Sequence, residues 1–340
     1  MGGSYYTPTT PPRPSWEGKL REALDQNNRK ALIESYRSYF SSEGKESGFI
    51  GNAMKLLCGK SVKNFPKEFS DIEYEVKFNI DLAGDSTQQL SLCDYLDMFD
   101  FPVVTSSRFL KDPLNTTSEG FNHYFGTNTA ERLVVIDKMG KGYMKEKGES
   151  LPIDINLSHK DIVTKRREVL LPATLSEIIE RIHQVTRESG VHYRGKIKKE
   201  RADMFLLNAH DGRIYNFTVT RAQITRSEQQ VETQRQLEIE YAGYLPGFKN
   251  FKNEDEQQLI RSMLDLTRYT YALYHDVLLP DEGRMKLVPT KERKYDFVLG
   301  TSSLRAPSNS HMEGLELFNT HALPDKRTDI MIEEVAPLLR

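Results

Sequence analysis

The stretch that decides the fold is DIEYEVKFNI, residues 71–80. Its apolar residues alternate with Glu73, Glu75, Lys77 and Asn79. Side chains of a β-strand point alternately to its two faces, so this period predicts a strand with one apolar face and one charged face. An ordinary surface strand has no need of two carboxylates and an ammonium group side by side, so the charged face is the feature to explain.

The same pattern recurs further along the chain. In RQLEIEYAG, residues 235–243, Leu237 and Ile239 alternate with Glu238 and Glu240. Strand-like segments between the two acidic strands carry basic residues in the same alternating way. These basic residues are Arg132, Lys145, Lys147, Lys165, Arg167, Lys199, Arg201 and Arg221.

Composition narrows the class of protein. The chain has 340 residues, and a hydrophobic fraction of 38% is enough to bury a substantial core. Its 47 basic and 49 acidic residues give a net charge of -2, which argues against a general nucleic-acid or membrane binder. Two cysteines are too few for a disulfide framework, and no apolar run reaches the length of a membrane helix. We therefore expect a globular protein of the cytoplasm or nucleus that does not associate with membranes.

About eight strands are predicted between residues 71 and 245, and most are joined by turns rather than by crossover helices. This arrangement favours an antiparallel sheet that closes on itself. Helices are predicted in four places. They are residues 15–42, as one broken helix or two short ones with Ser15 as N-cap; residues 90–101; a helix from Thr174 to a stop at Gly190; and residues 253–278.

Together these elements predict an α+β protein built on a closed eight-stranded antiparallel β tunnel, or barrel, with flanking helices. We divide the chain into an N-terminal arm and helical segment (1–70), a tunnel domain (71–245) and a C-terminal helix and extension (246–340). If the apolar faces pack outward, the charged faces enclose a polar interior, which is costly unless the charges are paired or meet a ligand. A polyanion with a divalent cation would relieve both signs of charge.

The ordered motifs EYEVK, VTKRRE, KKERADMFL and LEIE resemble those of the triphosphate tunnel metalloenzymes, the superfamily that includes the CYTH proteins. The resemblance covers roughly residues 70 to 245. It implies hydrolysis of a triphosphate that depends on Mg²⁺ or Mn²⁺, the substrate being inorganic tripolyphosphate, a nucleoside triphosphate or an RNA 5′ end. The segments outside the tunnel leave room for RNA contacts or a protein partner.

The resemblance also implies roles for individual residues. Glu73, Glu75, Glu238 and Glu240 would bind the metal, one of them acting on the attacking water, and Lys77 would contact phosphate. These five residues are the candidate catalytic set. The further phosphate-binding candidates are Arg132, Lys145, Lys147, Lys165, Arg167, Lys199, Arg201 and Arg221.

Two alternatives remain open. A class IV adenylate cyclase would use the same carboxylates and metal to activate a ribose hydroxyl, although no adenine-reading motif is found. A non-catalytic protein of the same fold would bind polyphosphate or nucleotide without turnover. The second alternative is supported by departures from the family pattern, in particular Thr218 and Thr220 where an acidic residue is common.

Overall fold

The computed structural model of the chain describes residues 14–42, 48–59, 65–69, 71–82, 92, 96, 108–112, 116–127, 131–138, 141–157, 160–227, 230–248, 255–278 and 285–289. The predicted N-terminal arm lies almost wholly outside the described residues. Of the helix predicted over residues 90–101, only Leu92 and Leu96 are described, and both are helical and buried.

The N-terminal segment forms three helices, α1 Trp16–Gln26, α2 Arg29–Ser41 and α3 Phe49–Cys58. Ser15 is the N-cap of α1, as predicted, and Asn28 caps α2 with its side-chain oxygen. The prediction of two short helices here is therefore confirmed. The third helix was not predicted from the sequence.

The described part of the chain contains ten strands. They are β1 Ile72–Leu82, β2 Phe109–Lys111, β3 Thr116–Gly126, β4 Glu131–Lys138, β5 Lys141–Ser150, β6 Thr164–Pro172, β7 His192–Asn208, β8 Arg213–Ser227, β9 Gln230–Tyr244 and β10 Met285–Pro289. Eight of them form a ring in the order β1, β6, β5, β4, β3, β7, β8 and β9, and β9 pairs back onto β1. Every pairing is antiparallel, so the predicted closed eight-stranded barrel is confirmed. Outside the ring, β2 pairs with β7 and β10 with β1.

Two further helices cover the outside of the barrel. Helix α4, Leu175–Thr186, follows β6, and its Thr174 forms a capping box with Glu177. It ends at Thr186, so the predicted stop at Gly190 is wrong by four residues. Helix α5, Asp255–Leu278, follows β9.

The apolar face of β1 packs outward, as the sequence predicted. Tyr74 and Val76 are fully buried in one cluster with Leu237 and Ile239 of β9 and with residues of α5 such as Met263. A second cluster joins α4 to the outer side of β3, β4 and β5. Because neighbouring residues of a strand face opposite ways, this outward packing directs the charged residues of β1 and β9 into the barrel.

Helices α1–α3 cover one end of the barrel. They form a hydrophobic cluster with Leu207 of β7 and Ile214 of β8, which lie on the same strand faces as Arg201 and Thr218 in the interior. The helices therefore lie over the interior side of the β7–β8 hairpin. No helix in the described part of the chain is long and apolar enough to cross a membrane.

The segment 65–69 crosses β9 close to this end. Gly243 has a φ of 141°, and a Cβ atom there would lie 2.4 Å from the carbonyl oxygen of Pro66. The amide of Tyr244 donates a hydrogen bond to the same oxygen at 3.0 Å. Glycine is required at position 243 because both the backbone conformation and the close approach exclude a side chain.

Candidate active site

Strand register brings the acidic residues of β1 and β9 together. Glu75 lies opposite Glu240, and Lys77 lies opposite Glu238. Residues directly opposite each other in an antiparallel pair point to the same face. The structure therefore places all five residues of the predicted catalytic set on strand faces that point into the barrel, Glu73 included. Their chemical roles stay predictions.

Lys77 bridges the two acidic strands. Its Nζ lies 2.9 Å from Glu75 Oε1 and 3.0 Å from Glu238 Oε1. Burial acts to lower the pKa of Lys77, but the two carboxylates outweigh it and raise that pKa well above its ordinary value. The ammonium group thus stays charged and holds β1 and β9 in register across the interior.

Arg166 of β6 is the central cation of the interior, and it was not among the residues predicted from the sequence. Its Nε donates to Glu73, and its Nη2 lies 3.6 Å from both Glu75 and Glu168. Burial opposes ionisation of Glu73, yet Lys145 and Arg166 hold the pKa of this carboxyl far below its usual range. A short ion pair also joins Lys145 to Glu168.

Lys165 and Arg167, predicted to bind phosphate, lie on the other face of β6. Lys165 pairs in register with the outward-facing Tyr74, and its Nζ lies 2.5 Å from Glu256 of α5. The prediction assigned the wrong face of β6 to the interior, because the run TKRRE carries charged residues on both faces. Pairing of Glu73 with Arg166 decides which face points inward.

Arg221 also lies outside the barrel. It is opposite Glu200 in the register and binds that carboxylate with its Nε at 2.9 Å. Glu200 lies on the same face of β7 as Ala202, which is buried in the outer hydrophobic cluster. Placement of Arg221 in the interior was therefore wrong.

Two other predicted cations are paired with carboxylates. Lys147 Nζ lies 2.7 Å from Glu131, and Arg132 Nη2 lies 3.2 Å from Glu149, whose side chain is 78% exposed. Burial acts to raise the pKa of Glu131, but Lys147 prevails and lowers it to about 2. Arg132 therefore lies in a solvent-exposed ion pair, whereas Lys147 lies in a partly buried one.

The β7 side of the interior carries cations without carboxylate partners. Among the described residues, neither Lys199 nor Arg201 has a carboxylate oxygen within 4.0 Å of its charged nitrogens. Lys199 Nζ lies 5.8 Å from the ring centroid of Tyr124. Burial would raise the pKa of Tyr124, but Lys199 outweighs it and lowers that pKa.

Glu240 is the matching anion on the opposite side. No ion pair to Glu240 is found within the described ranges. Burial, aided by the nearby Glu73 and Glu168, raises the pKa of Glu240 to about 7, although Lys145 acts in the other direction. The interior thus has cations along β7 and a carboxyl group on β9 that form no direct ion pair in the described structure, although Arg201 and Lys199 lie close enough to Glu238 to help lower its pKa.

Thr218 and Thr220, where the family pattern has acidic residues, also face the interior. Thr218 lies between Glu238 and Asp203 in the register, and its hydroxyl donates to Asp203 Oδ1 at 2.5 Å. Asp203 on the neighbouring strand thus supplies a carboxylate close to the position where the family pattern carries one. Asp203 was not among the site residues predicted from the sequence.

The donors fit a hard divalent cation in their chemistry. Carboxylate oxygens from Glu73, Glu75, Glu238 and Glu240 are the ligands that Mg²⁺ and Mn²⁺ prefer. In the part of the chain that the structure describes, however, no three carboxylates converge in a cluster that could hold a metal ion. Most of these oxygens are turned to Lys77, Lys145 and Arg166 instead.

Comparisons with known proteins give a distant likeness. No protein-family model matches the chain, and no curated protein matches it. The solved structures that resemble it include the S. pombe Pct1 RNA triphosphatase in complex with the Spt5 CTD and S. pombe Pct1 RNA triphosphatase alone. Each is 11% identical and covers 65% of this chain and 88% of that one, with TM-scores of 0.31 and 0.30.

The chain's own barrel defines its class of fold. Eight antiparallel strands close into a ring, and alternating Glu, Lys and Arg side chains face its interior. This is a fold like that of the triphosphate tunnel metalloenzymes, as the sequence motifs predicted.

Proposed function

We propose that the chain hydrolyses the terminal phosphoanhydride bond of a triphosphate inside the barrel, with Mg²⁺ or Mn²⁺. The observation that carries this proposal is the separation of charge across the interior. In the described structure, Lys199 and Arg201 on β7 and Glu240 on β9 form no direct ion pair. A metal-bound triphosphate presents anionic oxygens to the first side and a cation to the second.

Binding would exchange one set of ion pairs for another. Glu75 and Glu238 are now held by Lys77, and Glu73 is held by Arg166 and Lys145. Phosphoryl oxygens can replace the carboxylates as partners of Lys77, Lys145 and Arg166. The carboxylate oxygens are then free to bind the divalent cation of the ligand. Since every partner is replaced rather than lost, the buried charges stay compensated throughout.

The residues then have distinct tasks. Lys77, Lys199 and Arg201 hold the phosphoryl oxygens, and Arg's planar fork suits a phosphate group. Glu73, Glu75, Glu238 and Glu240 supply the ligand oxygens, and one of them accepts the proton of the attacking water. A divalent cation bound there would offset charge on the phosphoryl oxygens. Water oxygen bonds to the terminal phosphorus while the bridging P–O bond breaks, releasing orthophosphate and a diphosphate.

The substrate is inorganic tripolyphosphate, a nucleoside triphosphate or an RNA 5′ end. Helices α1–α3 cover the β7–β8 side of one end of the barrel, which favours access from the opposite end. The segments outside the ring offer surface for a protein partner. A cyclase would instead release pyrophosphate from ATP.

The test is phosphate release from tripolyphosphate, ATP, GTP and 5′-triphosphorylated RNA with Mg²⁺ or Mn²⁺. The inward variants are the double substitution Glu73→Gln/Glu75→Gln and the single substitution Arg201→Gln. The matched control is Arg221→Gln, which removes the same charge from the outer face of the barrel. We expect metal-dependent release that both inward variants reduce at least 100-fold and the control leaves within about twofold.

Equal loss in Arg221→Gln would contradict the assignment of the interior as the site. Metal-independent release would contradict the role of the carboxylates. Release of pyrophosphate with a cyclic nucleotide would replace the hydrolase with the cyclase.

A second candidate is a binding protein of the same fold without turnover. The observation that favours it is the pairing of Glu73 with both Arg166 and Lys145, together with the absence of a three-carboxylate cluster among the described residues. This candidate predicts tight binding of tripolyphosphate that is weakened in Arg201→Gln, with no phosphate released from any of the four substrates.

A further inference from the structure

A cavity of about 510 Å³ lies outside the barrel, where the α1–α2 turn, the β7–β8 turn and the first turns of α5 meet. Nine of the described residues line it. They are Asn27, Arg29, Arg108, His210, Asp211, Arg213, Phe248, Gln258 and Arg261. Four of the nine are arginine and one is acidic, so the lining side chains carry an excess of positive charge.

The acidic groups close to this cavity are already engaged. Asp211 Oδ2 accepts a bond from Arg213 Nη1 at 2.9 Å, and its Oδ1 accepts one from the amide of Arg213 at 3.0 Å. Glu68 lies 3.2 Å from the same guanidinium. Arg213 is fully buried, so this cation is fixed in place as part of the wall.

Two arginines offer further donors. Arg108 binds Asp265 through Nη1, but its Nε is buried and has no hydrogen-bond acceptor among the described residues. Arg261 is exposed, and within the described part of the chain it forms no ion pair. Clustered like charges cost free energy, and a bound anion would offset that cost.

We propose that this cavity, referred to below as the arginine pocket, binds the phosphate group of a small organic phosphate. Guanidinium groups match phosphate oxygens in pairs. A volume of about 510 Å³ is typical of small-molecule sites. Phe248, His210, Asn27 and Gln258 supply ring and amide surfaces for the organic part. The site is separate from the barrel interior and does not depend on the proposed hydrolysis.

The test is isothermal titration calorimetry of the full chain carrying Lys199→Gln/Arg201→Gln, which weakens anion binding in the barrel. The probes are inorganic pyrophosphate and AMP. Two changes in the arginine pocket are each compared with a matched change elsewhere on α5. Arg261→Gln is compared with Arg268→Gln, and Gln258→Glu is compared with Gln257→Glu.

We expect both probes to bind, and we expect Arg261→Gln and Gln258→Glu each to weaken binding about tenfold, because the first removes a charge-assisted contact and the second adds a carboxylate that repels the anion. The two control variants should stay within about twofold. Tighter binding of AMP than of pyrophosphate would support the organic part of the proposal. Failure of both probes to bind, or equal weakening by a control variant, would overturn it, whatever the outcome of the phosphate-release assay.

Discussion

Arg166→Gln gives the sharpest test of how the barrel interior is built. Arg166 is 18% exposed and faces three carboxylates, of which Glu73 is only 4% exposed. Removing the guanidinium leaves Glu73 buried beside Glu168 with Lys145 as its nearest remaining cation. Breaking a buried ion pair in this way costs about 3 to 5 kcal/mol in free energy of unfolding.

The matched control is Arg167→Gln. Arg167 follows on the same strand, is exposed, and faces away from the interior. Loss of an exposed charge should change the free energy of unfolding by less than about 0.5 kcal/mol. The double variant Glu73→Gln/Arg166→Gln should recover part of the loss, because it no longer leaves a buried carboxylate without its cation.

The assay is urea unfolding at pH 7.5 in EDTA, followed by circular dichroism. The slope m should be unchanged, so that the shift in midpoint reports stability. A loss below about 1 kcal/mol in Arg166→Gln, or a loss equal to that of Arg167→Gln, would refute the assignment of Arg166 as the central interior cation.

Three further predictions follow from the same structure. Lys165→Gln removes a partly exposed ion pair with Glu256 and should cost less than about 1 kcal/mol in urea unfolding, with phosphate release unchanged; loss of release would contradict its outward placement. Glu131 has its pKa lowered to about 2, so its contribution is present above the unfolded value near 4.5 and is lost as the pH falls toward 2. Glu131→Gln should therefore lower the free energy of unfolding by up to about 3 kcal/mol at pH 7. The difference in free energy of unfolding between wild type and variant should shrink between pH 4.5 and pH 2, and a constant difference would contradict the ion pair with Lys147. Gly212 and Gly190 have φ angles of 74° and 78°, but a Cβ on Gly212 would lie 2.6 Å from the Phe248 ring whereas Gly190 has open space. Gly190→Ala should cost about 1 kcal/mol and Gly212→Ala at least about 2 kcal/mol more by thermal unfolding, and equal costs would contradict the packing of Phe248.

Local sequence signals determined much of the fold. Strict alternation in β1 and β9 fixed which of their residues share a face, and this placed Glu73 with Glu75 and Glu238 with Glu240. Capping residues such as Ser15 located helix starts. These features depend on residues a few positions apart, so a single chain read in order contains them.

Which face of β6 points inward was decided only by the tertiary structure. The run of Lys165, Arg166, Arg167 and Glu168 is charged at every position, so alternation within it carries no information about direction. Register against β1 sets Glu73 opposite Arg166 and Tyr74 opposite Lys165. A shift of one residue would exchange the two sets completely.

The arginine pocket was likewise decided only by the tertiary structure. Its residues come from the α1–α2 turn, the start of β2, the β7–β8 turn, the segment after β9 and α5, which are far apart in the chain and carry no shared motif. The sequence by itself therefore determined the faces of β1 and β9 and predicted the closed barrel. The tertiary structure decided which cations meet which carboxylates, because contact between distant segments depends on register and packing rather than on local pattern.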